Sequence, residues 1–357
     1  MKRETLSPSG SATQESLFSQ SDLFLVTGAS GFVGSHLVEQ LVKRGYRLRL
    51  FVRQSSRLHW LEGLRKSGAV QLAWGDITDK ASCAGACSGV RGVFHFGGLI
   101  RARGVKEFQQ VNAQGTRNLA EALAERGLRG GFFIYCSSLA AGGPGFAVEH
   151  DPEPVRTESD PPTPITPYGQ SKLEGEFALR EVADAHGTFR HVVLRPPAIY
   201  GPRDTGILPL WKLIRQGILP IPGKPEARVS MVFIDDLIAA TARVAEGGIR
   251  GTYYIDDGSV HTWHALGALA GSIMAVEPRV MKVPNWVAVG AALGAELWGG
   301  ITRQPPMLSR DKLRELRQDH WVCSSEKART TWGYTPKVQI EEGLRETLEW
   351  YRANQWL

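Results

Sequence analysis

Tyr168 and Lys172 stand four residues apart in Pro167-Tyr168-Gly169-Gln170-Ser171-Lys172. On a helix that spacing puts both side chains on one face. A phenol titrates near pH 10 and is a poor acid–base at neutral pH. A neighbouring ammonium favours the phenolate and lowers that pKa, so the pair has the chemistry of a proton donor and acceptor for a carbonyl or an alcohol. The same spacing arises by chance on solvated helix faces, so the pair gains weight from its neighbours. Upstream, the apolar run Phe132–Cys136 ends in Ser137-Ser138. A hydroxyl at the carboxyl end of a parallel strand faces the crevice where such sheets bind ligands. Ser138 is therefore the candidate carbonyl binder, with a helix cap as its plain alternative. Asn112 lies in a helical pattern, where Asn is unfavourable by propensity, and this points to a structural or relay role.

A second constellation binds phosphate. Val26-Thr27-Gly28-Ala29-Ser30-Gly31-Phe32-Val33-Gly34 spaces three glycines as G-x-x-G-x-x-G, between a predicted strand and a predicted helix. Glycines permit the tight turn and the close backbone approach that a pyrophosphate needs, and the helix N-terminus adds free N–H groups. Gly28, Ser30, Gly31, Phe32, Val33 and Gly34 are the candidate contacts. An NAD site usually has an acid at the end of the second strand, for the ribose 2′-OH. Here Arg53 occupies that place, Arg57 follows, and no acid lies between Gly45 and Trp60. A guanidinium grips a 2′-phosphate that a carboxylate would repel. The expected cofactor is NADP(H), with NAD(H) as the alternative if both arginines are merely solvated. Asp76 and Ile77 follow the third strand, where an adenine would lie.

The elements that must position these groups alternate. Leu23–Thr27, Arg47–Val52, Val70–Trp74, Val93–Phe96, Phe132–Cys136 and His191–Leu194 read as strands, and helical patterns lie between them. Of these, Phe108, Val111, Gly115, Leu119 and Leu123 give the clearest helix. Such alternation predicts an α/β fold, a doubly wound parallel sheet with right-handed crossovers. Residues 1–20 read as a disordered polar tail, and 21–200 as the nucleotide-binding domain. Residues 201–357 read as a smaller, mostly helical substrate lobe, with a stretch near 228–257 returning to the first domain. Glu149–Pro167, dense in Pro and acid, reads as a surface loop.

Composition limits the class. In 357 residues, 42% hydrophobic and 22% charged, ordinary globular usage excludes a disordered, collagen-like or coiled-coil chain. A net charge of +6 suits anionic cofactors or an anionic membrane surface and is no nucleic-acid footprint. The four Cys are too scattered for a disulfide scaffold or a metal set, and predict reduced thiols in a cytoplasmic protein. Val283–Ile301 is the one long apolar stretch. Pro284, Asn285 and Glu296 interrupt it, which argues against a spanning helix. It is expected to be a buried helix of the substrate lobe, or one that lines a greasy pocket and touches a membrane through Trp286 and Trp298.

Together the glycine motif, Asp76, Asn112, Ser138, Tyr168, Lys172 and Leu194-Arg195-Pro196-Pro197-Ala198-Ile199-Tyr200-Gly201-Pro202 resemble the extended short-chain dehydrogenase/reductase family, of the NAD-dependent epimerase/dehydratase type with a Rossmann fold. The resemblance covers roughly residues 22–355 and includes Val232-Phe233-Ile234-Asp235-Asp236-Leu237 and Gly333-Tyr334-Thr335-Pro336. It implies Tyr168 as acid/base, Lys172 as its activator and ribose ligand, and Ser138 as carbonyl binder. It also implies Pro196, Pro197, Ala198 and Ile199 beside the nicotinamide, and Phe96 and Gly97 along the cofactor. His95-Phe96-Gly97-Gly98 departs from the family, which usually has alanines after the His. Relatives often dimerise through the helix that carries the Tyr, so a homodimer is implied by analogy.

The C-terminal third is most similar to the steroid dehydrogenase, flavonol reductase and keto-lipid reductase branch. Arg53 argues against the epimerases that hold NAD. Ser137-Ser138-Leu139-Ala140 lacks the Thr-Asp-Glu run of the dehydratases. The expectation is NADP(H)-dependent reduction of a ketone on a lipid-like molecule such as a 3-oxo-sphinganine-type keto-lipid or a 3-oxo-steroid, or the reverse oxidation. The alternative is a sugar-nucleotide epimerase or reductase. A nucleotide-sensing regulator without turnover would be expected to lose Tyr168 or Lys172, and both are present.

Overall fold

The computed structural model describes residues 18, 19, 21–127, 130–145, 154–221, 223–302, 306 and 309–357. Seven strands form one sheet: β1 (Leu23–Thr27), β2 (Arg47–Val52), β3 (Val70–Trp74), β4 (Val90–His95), β5 (Gly131–Cys136), β6 (Phe189–Arg195) and β7 (Gly251–Tyr254). All pair in parallel, in the order β3-β2-β1-β4-β5-β6-β7. Side chains alternate between the faces, as a strand's period of two requires. Phe24, Val26, Leu50, Ile134 and Leu194 enter one core with α1 (Phe32–Lys43) and, later in the chain, Ile234–Glu246. Leu25, Phe51, Val93, Phe133 and Val193 enter the other, with α2 (Gly115–Ala124) and α3 (Pro167–His186). The order reverses direction between β1 and β4. A sheet of this kind opens its ligand crevice there, at the carboxyl ends of the strands.

The strands predicted at Leu23–Thr27, Arg47–Val52 and Val70–Trp74 form over those residues. The next three start earlier than predicted, because Gly92, Gly131 and Arg190 join the ladder without extending an apolar run, and the fourth strand ends at His95 rather than Phe96. The helix predicted through Phe108–Leu123 is broken. Val105–Phe108 is α-helical, Gln109–Gln114 widens into a π-helical turn, and α2 begins at Gly115. One extra residue in such a turn is invisible to a pattern built on 3.6 residues. The predicted tail falls mostly outside the described residues. Its end does not: the Phe18 ring lies 5.0 Å from Phe24 and 5.5 Å from Phe132.

Beyond β6 the chain returns to the sheet through α4 (Ile234–Glu246), which packs beside α1, and through β7. Its helix α5 (Asn285–Thr302) corrects the expectation of a buried or pocket-lining segment. Trp286 is 78%, Leu297 71% and Ile301 76% exposed, whereas only small residues such as Ala288 and Ala292 are buried. The last helix, α6 (Ile340–Ala353), returns to the N-terminal half, where Trp350 meets Trp60 at 5.5 Å.

Candidate active site

The phosphate loop is built for close approach. Gly28 has φ +72°, and a Cβ there would come within 2.5 Å of the Phe96 carbonyl carbon. A Cβ on Gly34 would come within 2.0 Å of the Gly28 oxygen, so only glycine lets α1 sit on its own entry turn. Gly31 enters α1 in an extended conformation. No side chain caps the helix and no acid occupies its first turn. The helix N-terminus therefore keeps its N–H groups and partial positive charge for an anion. Ser30, Phe32 and Val33 are half-buried at this end. Phe96 and Gly97 lie directly against Gly28, so the predicted contacts of the cofactor loop come together.

At the adenosine end, Arg53 and Arg57 are exposed just beyond β2, and neither pairs with an acid among the described residues. The Arg53 amide donates to the Ser56 hydroxyl at 3.1 Å, which folds the loop back. Asp76 accepts from the Thr78 amide at 2.9 Å and its hydroxyl at 2.8 Å. Ile77 packs on α2 where Gly115 leaves room: a Cβ at Gly115 would lie 2.8 Å from the Ile77 side chain.

Helix α3 carries the acid–base pair in its first turns. Thr166 caps it, accepting from the Gly169 amide at 3.2 Å, and Pro167 opens it. Gly169 presses against the Ala140 carbonyl, which brings Tyr168 to the Ser138 turn. The Ser138 hydroxyl takes up the helix-cap alternative: it caps the short helix Leu139–Gly142, accepting from the Ala140 amide at 3.1 Å, and it lies close enough to the Tyr168 phenol to favour the ionised form. Lys172 is buried. Its ammonium donates to the Cys136 carbonyl at 2.7 Å and lies 4.5 Å over the Tyr135 ring. Burial pushes Lys172 down to about 8 and pushes Tyr168 up, although the Ser138 hydrogen bond opposes the rise. The expected lowering of the phenol is thus reversed: desolvation outweighs the favourable contribution of the Ser138 hydroxyl. At neutral pH the pair is a protonated phenol beside a largely protonated amine.

Asn112 sits in the π-helical turn. Its side-chain oxygen accepts from the Leu99 amide at 2.7 Å, and its nitrogen donates to the Leu99 carbonyl and the Ser171 hydroxyl, each at 2.9 Å. It ties the loop after β4 to α3. Gly98, which departs from the family pattern, faces this group: a Cβ there would lie 2.9 Å from the Asn112 oxygen and 3.5 Å from the Lys172 nitrogen.

Two buried assemblies escaped the sequence reading. In the first, the Gly97 amide donates to Thr27 Oγ1 at 2.9 Å, and Thr27 Oγ1 meets His95 Nδ1 at 2.6 Å. His95 Nε2 meets Thr116 Oγ1 at 3.0 Å, and Thr116 Oγ1 donates to the Asn112 carbonyl at 2.6 Å. The end bonds fix the direction of the rest. Thr116 spends its proton on a carbonyl, so His95 Nε2 carries a hydrogen and Nδ1 accepts from Thr27. Burial holds His95 near 3, neutral throughout. In the second, Arg195 grips Glu176 through bonds of 2.9 and 2.6 Å, and Ser137 donates to the same carboxylate at 2.5 Å. The Leu139 amide donates to the Pro196 carbonyl at 2.8 Å. These bonds stitch the Ser138 turn to Pro196, Pro197, Ala198 and Ile199, which leave β6 beside it. No cluster of metal-ligating side chains occurs among the described residues.

The model of the NAD dependent epimerase/dehydratase family matches residues 24–255. The ceramide reductase of Caulobacter vibrioides is 31% identical over 93% of this chain and 95% of its own length. The 2-alkyl-3-oxoalkanoate reductase of Stenotrophomonas maltophilia is 32% identical over 90% and 97%. The solved UDP-glucose 4-epimerase of Thermotoga maritima superposes with a TM-score of 0.74 over 93% of this chain and 99% of its own, at 24% identity, a likeness of fold.

Proposed function

This chain belongs to the NAD dependent epimerase/dehydratase family and is an NAD(P)-dependent oxidoreductase of the extended short-chain type; from that premise we propose that it reduces a ketone on a lipid-like molecule with NADPH, or runs the reverse oxidation. The observation that carries the reductive reading is the placement of Tyr168 and Lys172 on the first turns of α3, with Gly169 packed against the turn that Ser138 caps, where burial favours the protonated phenol. The cradle at Gly28 and Gly34, the uncapped start of α1 and the unpaired Arg53 and Arg57 fit a dinucleotide with a 2′-phosphate. Gly28, Ser30, Gly31 and the first turn of α1 would hold its pyrophosphate. Arg53 and Arg57 would hold the 2′-phosphate, Asp76 and Ile77 would flank the adenine, and Lys172 would hold the nicotinamide ribose. When bound, the nicotinamide supplies or accepts the hydride.

Ser138 orients the substrate carbonyl by a hydrogen bond to its oxygen. Tyr168 gives its proton to that oxygen as the carbon is reduced, and becomes a phenolate. Lys172, charged below about pH 8, stabilises that phenolate. Asn112 and the His95 relay hold the loop and helix in register while this happens. The lipid-like substrate is supported by the two relatives named as a ceramide reductase and a 2-alkyl-3-oxoalkanoate reductase. The epimerase alternative has fold likeness behind it. The test is turnover with NADPH and NADH against 3-keto lipids of increasing chain length, 3-oxo-steroids and nucleotide sugars. Activity that rises with chain length supports the proposal. Turnover of a nucleotide sugar, with none on any keto-lipid, rejects it.

A further inference from the structure

Helix α5 is inside out for a protein in water. At 100° per residue, Trp286, Leu293, Leu297 and Ile301 fall within one narrow stripe, and all are exposed. Ala288, Ala292 and Ala295 fall on the opposite side, where Ala288 and Ala292 are buried with Leu313 of the neighbouring helix Arg310–Leu316. The small residues thus face the protein and the large apolar ones face out. Trp298 flanks the stripe, also exposed. A helix that is apolar all round belongs in a core or a bilayer. This one cannot cross a membrane, because no described helix is long and apolar enough.

We propose that the outer face of α5 docks on an anionic lipid surface and lies in its interface. Charge around the helix selects that occupant over a second protein copy. The strand Arg279–Lys282, which leads into α5, is exposed along its length, and Val280 and Met281 extend the apolar surface. Arg279 and Lys282 have no acidic partner among the described residues. The carboxylates of α5 and of the helix Arg310–Leu316 are neutralised: Glu296 pairs with Arg310 at 2.9 Å, Asp311 with Arg314 at 3.5 Å and Glu315 with Lys312 at 3.1 Å. An apolar stripe edged by tryptophans, with the two unpaired cations Arg279 and Lys282 outnumbering the exposed Glu277, which has no ion pair among the described residues, is the pattern of an interfacial helix on anionic lipid. Two copies meeting through this face would bring like charges together. The proposal rests on the lipid-substrate reading only in giving the docked enzyme a reason to be there, since a membrane is where such a ketone partitions.

The test measures vesicle binding and turnover separately. The full chain is sedimented with vesicles of phosphatidylcholine alone and with an added share of phosphatidylglycerol, at low and high salt, without substrate. Binding that needs the anionic lipid, weakens with salt and falls at least about tenfold in Leu297→Asp/Ile301→Asp supports the proposal. Equal binding by the variant, or no binding by the wild type, overturns it. A wild-type dimer that becomes a monomer in the variant, with no vesicle binding, overturns it in favour of a second copy. Turnover of a short, water-soluble 3-ketone without vesicles should be unchanged in the variant. Loss of that turnover in the wild type would count against the proposed activity and leave the binding result intact.

Discussion

At the residue scale the site works through burial. Lys172 is charged below about pH 8, and the raised Tyr168 keeps its proton over the whole physiological range. The sign follows directly. The proposed reduction needs the proton on Tyr168 and the charge on Lys172, and the second is lost as pH rises through about 8. At saturating NADPH, kcat for reduction should be flat below that pH and decline above it. The reverse oxidation, which begins from the phenolate, should rise with pH. A reductive kcat unchanged to pH 10 would contradict the role of Lys172. The proposed preference for NADPH rests on Arg53. A charge-assisted hydrogen bond contributes roughly 1.5–3 kcal/mol, so Arg53→Asp should lower the NADPH/NADH ratio of kcat/KM by about 10- to 150-fold. A wild type that already prefers NADH would refute this reading.

Between elements, the His95 relay links three of them. It runs from Gly97 and Thr27 at the end of β1, through β4, to the π-helical turn that holds Asn112. Thr116→Val leaves the His95 Nε2 hydrogen and the Asn112 carbonyl without their partner, a cost of about 1–3 kcal/mol per buried group. If the relay positions the site, kcat falls by about tenfold or more while the KM for NADPH moves less, and Thr116→Ser restores both. Because His95 stays neutral, the defect should not vary between pH 5.5 and 7. A loss of stability with wild-type kcat would make the relay structural only. None of this was legible in the sequence. Thr27 and His95 are 68 residues apart and His95 and Thr116 are 21 apart, so no local pattern joins them. The glycine loop and the Tyr168/Lys172 pair were legible, because each is written in a few consecutive residues that one turn or one helix face brings together. The outward face of α5 misled for a different reason: an apolar run reads as buried, and only the neighbouring helix shows which side is covered.

For the molecule as a whole, the sheet brings the glycine loop and the Tyr168/Lys172 pair to the carboxyl ends of its strands, and the last helix closes back on the first half through Trp350 and Trp60. Strand–helix alternation predicted that sheet, since a parallel strand buried on both faces is a continuous apolar run. The chain beyond β6 was less readable, because its short strands and loops follow no period. Over this whole molecule the central claim is a net transfer of hydride to a lipid ketone with the proton from Tyr168. It is tested most directly by incubating the enzyme with NADPH deuterated at nicotinamide C4, on the transferred face, and a long-chain 3-ketone. The product is then weighed by mass spectrometry, with Tyr168→Phe in parallel. The account predicts an alcohol with one deuterium on the former carbonyl carbon, formed at least about 100-fold more slowly by the variant, the scale of a lost general acid. No deuterium in any lipid product, or wild-type rates from Tyr168→Phe, would contradict it.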